Sequence, residues 1–169
     1  MYRTFAVSVE FLARLMALIG GAVLLALIVM TCLSIIGRTL GSFGLAPVPG
    51  DFELVELGVG FAIFAFLPWC HLRQGHAAVD LFRPRFSKNL NLLIDWISDV
   101  LMLVVAFLIT WRLWIGMLDK KNYTETTFIL QFPMWIAYGA GLLGAVAFLI
   151  VAVFCVFRSA RKLLGTVND

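Results

Sequence analysis

The chain has 169 residues, of which 62% are hydrophobic and 14% charged, with a mean hydropathy of +1.00. Soluble domains carry about a quarter of their residues as charges, so a water-soluble fold is excluded, and the 14% aromatic content excludes disorder. The net charge of +3 sits at the ends of apolar runs and forms no basic face, which argues against nucleic acid as a partner.

Arg14 and Arg38 bracket 23 uncharged residues, Leu15 to Gly37, where about 20 suffice to cross the hydrocarbon core. This is the first expected span, residues 15–37. The run is too long for a signal-peptide core, and no small-residue cleavage site follows it. Upstream, Phe5, Val9, Leu12 and Met16 recur at helical spacing while Arg3, Glu10 and Arg14 fall on another side. An amphipathic N-terminal lead lying at the membrane interface is expected.

The segment Gly41 to Asp51, GSFGLAPVPGD, reads as a loop. Asp51 is the expected N-cap of a second span at about 52–73, with Glu53 and Glu56 in its first turns, where the helix dipole favours negative charge. Gly75 is expected to take the left-handed conformation that stops the helix. Ser87 can cap the third span after the breaker Pro84, and the apolar pattern then runs 32 residues to Leu118. At about 1.5 Å per residue this helix is roughly 48 Å long and must tilt or protrude. Its first half carries Lys88, Asn91, Asp95 and Asp99 along one stripe. The fourth span, 133–157, opens on Pro133 and carries Ala137, Gly141 and Ala145 as a track of small residues suited to close helix approach.

The expected fold is therefore an all-α membrane protein, one domain of four transmembrane helices. Nine basic residues fall on the side of the two termini and four on the other. The positive-inside rule then puts both termini in the cytoplasm. Trp69 and Trp96 would lie at the inner interface, and Trp111, Trp114 and Trp135 at the outer one.

Ionisable residues inside a span are functional candidates by default. Spans one and four have none in their central stretches, so the carboxylate chain that a proton or cation antiporter needs is missing. Glu53 and Glu56 either receive a partner's Lys or Arg or are dipole-favoured residues of a first turn. Asp95 and Asp99 are expected to pair with a basic residue of the 73–88 loop. His71 and His76 have no third ligand spaced to join them, so neither metal nor haem is expected. Cys32, Cys70 and Cys155 lack C-x-x-C spacing and read as packing residues, which excludes a four-helix thiol oxidoreductase. No nucleophile, base and orienting group recur together, so neither catalysis nor a cofactor is expected.

Four stretches occur in order: IIGR with Arg38; DFEL with Glu53; LRQGHAAVDLF with Arg73, His76 and Asp80; and TETTFILQFPMWIAYG with Glu125, Thr126, Pro133, Trp135 and Tyr138. Together they resemble the DctQ family, the small membrane subunit of tripartite ATP-independent periplasmic (TRAP) transporters, over nearly the whole chain. The resemblance implies a subunit that binds no substrate. A large membrane subunit would carry solute and sodium by an elevator movement, and a periplasmic binding protein would deliver the solute. The small subunit would brace the large one among the lipids of a bacterial or archaeal cytoplasmic membrane, with an organic, carboxylate-type solute. Within that frame, Arg73, His76 and Asp80 are expected to clasp the turn between spans two and three. Two other classes stand beside this reading: the anchor subunit of a respiratory complex, which would need axial histidines or a quinone pocket, and a self-sufficient small dimeric transporter.

Overall fold

The computed structural model describes residues 2–41, 44–75 and 87–167. They form four helices and no strand: α1 (Tyr2–Thr39), α2 (Asp51–Leu72), α3 (Lys88–Asn122) and α4 (Met134–Val167). All four are long and apolar enough to cross a membrane. The chain is a multi-pass membrane protein. One end of the bundle carries the α1–α2 and α3–α4 connections and is called the loop end below. The opposite end carries both termini and is called the terminal end.

Helix boundaries follow backbone hydrogen bonding more than apolarity. Ser87 caps α3, its Oγ accepting from the Leu90 N–H, as its side chain allows. At α2 the N-cap is Gly50, whose φ of 74° is left-handed, and Asp51 is the first helical residue instead of the cap. From there Asp51 still serves the helix start, because its Oδ1 accepts the Phe52 N–H at 2.9 Å. A Cβ on residue 50 would meet Leu130 at 2.5 Å, a second reason for glycine there.

The α2 stop also differs from expectation by one residue. Gly75 N–H donates to Cys70 O and Gln74 N–H to His71 O, the paired bonds of a Schellman motif. That register places Gln74, with φ of 53°, in the left-handed position, and not Gly75. The same motif ends α3, with Thr124 at φ of 49° and Glu125 N–H reaching back to Lys120 O.

Helix α4 is the hub. It packs along both α2 and α3 and more narrowly along α1, while α1 packs chiefly on α2. Half of the most apolar stretch of α4 is buried, against 11% for those of α1 and α3. Lipid contributes no hydrophobic drive between helices, so contact depends on shape. Gly144 of α4 lies against the Phe64 backbone, where a Cβ would sit 2.7 Å from the carbonyl, and Gly141 faces the Phe64 ring. Ala145 is fully buried on the α3 side, where its carbonyl receives the Thr110 hydroxyl, while Ala137 is half-buried. The small-residue track thus seats helices of this same chain.

The N-terminal lead is helical, as its spacing predicts. It is continuous with the first span, and Val9 and Ala13 are buried against Leu72, Val151, Phe154 and Cys155. The buried stripe runs through Ala13, whereas Leu12 is only half-buried. Small residues let α1 approach here as elsewhere, since a Cβ on Gly20 would touch that of Ala65 at 3.0 Å.

Gly144→Ala forces the Phe64 backbone aside and is expected to destabilise by about 1–3 kcal/mol. That should lower the thermal unfolding midpoint in detergent by several degrees. Gly165→Ala, where the added carbon meets nothing within 4 Å, should leave the midpoint unchanged.

Candidate functional site

Polar side chains gather at two levels. From Asp51 to His71 along α2 is 20 residues, about 30 Å at helical rise, which matches the hydrocarbon thickness. The loop-end level begins at Asp51, whose Oδ2 accepts from Ser34 Oγ at 2.6 Å and lies 3.4 Å from Arg38. These bonds tie the end of α1 to the start of α2. Two residues on, the Glu53 carboxylate accepts the N–H groups of Ile129 at 2.6 Å and Leu130 at 2.9 Å. Both oxygens are thereby used within the chain, on the tip of the α3–α4 connection.

That connection is itself built. Thr126 and Pro133 form an antiparallel bridge, Met134 N–H donates to Glu125 O, and Thr127 and Phe132 exchange two further hydrogen bonds. Glu125 pairs with Lys120 at 2.5 Å, and Lys121 lies 5.7 Å over the Trp135 ring. Tyr138 packs on Gly116, where a Cβ would come within 2.9 Å of the ring. The loop consequently holds Phe128, 92% exposed, at its tip.

The terminal-end level has a buried centre. Ser159 of α4 donates to Asp99 Oδ2 of α3, and His71 Nε2 of α2 lies 3.8 Å from Asp99 Oδ1, with all three residues buried. The His71 ring also stands edge-on to Phe148 at 5.7 Å. Asp99 therefore binds Ser159 of α4 and lies beside His71 of α2, while Arg83, Arg85 and the Lys88 side chain, candidate partners from the 73–88 loop, fall outside what the structure describes. Asp95, one turn earlier, is half-buried. Arg158 donates to Leu72 O at 3.4 Å and satisfies a last carbonyl of α2.

Arg73 turns toward the N-terminal lead. Its guanidinium donates to Glu10 at 3.0 Å and stacks 4.5 Å over Trp69. The expected partners in the clasp, His76 and Asp80, lie outside the described residues.

Between the two levels the chemistry is sparse. The Thr31 and Thr110 hydroxyls donate to carbonyls one turn back on their own helices. Glu56 and Arg112 are the only charged side chains described at intermediate depth; both are exposed. An open apolar groove of about 390 Å³ runs between α3 and α4, lined by Phe107, Trp111, Trp114, Leu142, Val146 and Leu149 beside Thr110. No group of three metal-ligating side chains occurs among the described residues, and Cys32, Cys70 and Cys155 form no disulfide there.

Ser34, His71 and Ser159 were not legible as site residues from the sequence. Each is a small or neutral side chain at the end of an apolar run, and its acidic partner lies on another helix. The signal available was an acid, Asp51 or Asp99, at a position where an unpaired charge would be costly.

The described residues thus form an all-α bundle of four spans with polar ends and an apolar middle. The family described as tripartite ATP-independent periplasmic transporters, DctQ component, matches residues 27–162, and the chain belongs to this family. It is thereby a transporter component, the small membrane subunit of its system. No curated protein and no solved structure gives a significant match.

Four substitutions test the two levels. Ser159→Ala leaves Asp99 buried without its donor and should cost about 1–3 kcal/mol, read as a drop in unfolding midpoint; Glu10→Gln, at an exposed pair, should change it little. Glu53→Ala should raise hydrogen exchange at the Ile129 and Leu130 amides by roughly tenfold or more, with Glu53→Gln in between.

Proposed function

We propose that this chain is the scaffold subunit of a sodium-coupled, binding-protein-dependent TRAP transporter. It braces a large membrane subunit that moves the solute, a small organic carboxylate, together with sodium. A periplasmic binding protein supplies that solute, and the assembly lies in the cytoplasmic membrane of a bacterium or archaeon. The terminal end faces the cytoplasm, in keeping with the nine-to-four distribution of basic residues.

One observation carries the reading: among the described residues Asp51, Glu53, Arg73, Asp99 and Arg158 fasten one element to another at the two ends, and no chain of polar side chains connects those ends. An elevator needs a fixed frame against which a mobile part can slide, and a rigid bundle with long apolar faces supplies one. Phe11 and Leu18 of α1 and Leu101 and Leu108 of α3 are all more than half exposed, leaving broad faces for lipid or a partner. Sodium and solute sites are assigned to the large subunit on the family's division of labour.

Co-expression with the large subunit tests the role. The two chains should purify together in mild detergent as a stable complex, and the large subunit alone should give low yield or aggregate. A reporter fused after Ala46 or Asn122 should behave as periplasmic, and one after Phe86 or Asp169 as cytoplasmic. Opposite labels at any two sites contradict the orientation.

A further inference from the structure

Arg112 lies on α3 in the loop-end half of the bundle. It is exposed, and among the described residues it has neither a hydrogen-bond acceptor nor an acid in ion-pair reach. It lies 7 residues before Asp119 and 13 after Asp99 on the same helix, which is about 10 Å and about 20 Å along the axis. Those positions set it inside the hydrocarbon layer that the two polar levels bound, and its neighbour Trp111 with it, deeper than the outer interface expected for that ring. Side chains on a helix lean toward its N-terminus. For α3 that direction is deeper into the membrane, away from the nearer water.

The neighbours of Arg112 form a pattern. Leu101, Val105, Leu108, Arg112, Ile115 and Asp119 are all exposed, and their spacings alternate four and three. That alternation is the seam of a helix that packs in register with one partner helix, and a single polar residue in such a seam fixes the register. Since α3 gives its other face to α4, the seam has no partner within the described chain.

We infer that this α3 seam docks one transmembrane helix of the large membrane subunit, and that this helix carries an aspartate or glutamate opposite Arg112. The inference rests on the scaffold reading above. A buried arginine and carboxylate satisfy each other bidentately, and in hydrocarbon an arginine left alone is expensive. A lipid phosphate fits the site less well. The headgroup level directly above Arg112 on the same stripe holds the exposed carboxylate of Asp119. The two lysines beside it are turned to Glu125 and to the Trp135 ring.

The test uses the co-expressed complex of both membrane subunits. Arg112→Leu removes no hydrogen bond or ion pair among the described residues, so the isolated subunit should keep its unfolding midpoint. The recovered complex should nevertheless fall at least threefold, and for Arg112→Glu at least tenfold. A photo-crosslinking residue placed at Leu108 should give an adduct with the large subunit. Exchanging the crosslinked helix's acid for lysine should restore assembly to the Arg112→Glu variant. Wild-type recovery of both variants overturns the inference while leaving the scaffold role standing, as does an adduct at Leu108 with phospholipid alone. Failure of the unmodified chains to purify together overturns the scaffold reading, and the inference with it.

Discussion

Hydrocarbon offers no partner to a charge or to an unpaired backbone group, and the rest of this structure follows from that constraint. Apart from Glu56 and Arg112, the described charged side chains gather at two levels about 30 Å apart along α2. Once there, they are not simply solvated. Asp51, Glu53 and Asp99 each bind an element distant in sequence, so the same force that expels charge from the middle fastens the helices at their ends. The middle is left to small residues, and Gly144 against the Phe64 backbone shows how closely α2 and α4 approach when no side chain intervenes.

The two ends fasten different things. At the loop end Glu53 holds the α3–α4 connection by its backbone, and the paired bonds within residues 124–133 make that connection a rigid projection with Phe128 at its tip. At the terminal end the buried Asp99 joins α2, α3 and α4. Breaking such a buried arrangement leaves a polar group without its partner, a larger penalty than losing the exposed pair of Arg73 and Glu10. Both ends are therefore fixed independently, a property suited to a frame.

The four helices were legible because a span needs a long apolar run: those at 15–37 and 133–157 carry no charge, and those at 52–73 and 87–118 showed by apolar pattern and helix-start residues despite Glu53, Glu56, Asp99 and Arg112. Ser87 was legible as a cap because its side chain alone determines that role. Gly75 misled by one position, since the Schellman register depends on which carbonyls are reached and not on which residue is glycine. Glu53 was visible as a candidate, but its acceptors are backbone amides 76 and 77 residues away, and a backbone amide has no sequence signature. The tie between Asp99, Ser159 and His71 depends on α4 lying between α2 and α3, an order that periodicity cannot supply. Arg38, Glu125, Thr126, Trp135 and Tyr138, by contrast, stood in the stretches that resembled the family, and each holds a distinct contact at the loop end.

The claim on which the account turns is that this chain frames transport without performing it. Sodium-driven solute uptake into proteoliposomes measures that directly, with the large subunit, the binding protein and this chain combined in all pairings. The account predicts uptake only when all three are present, and none from this chain with or without the binding protein. Uptake by this chain alone, or undiminished uptake in its absence, would contradict it.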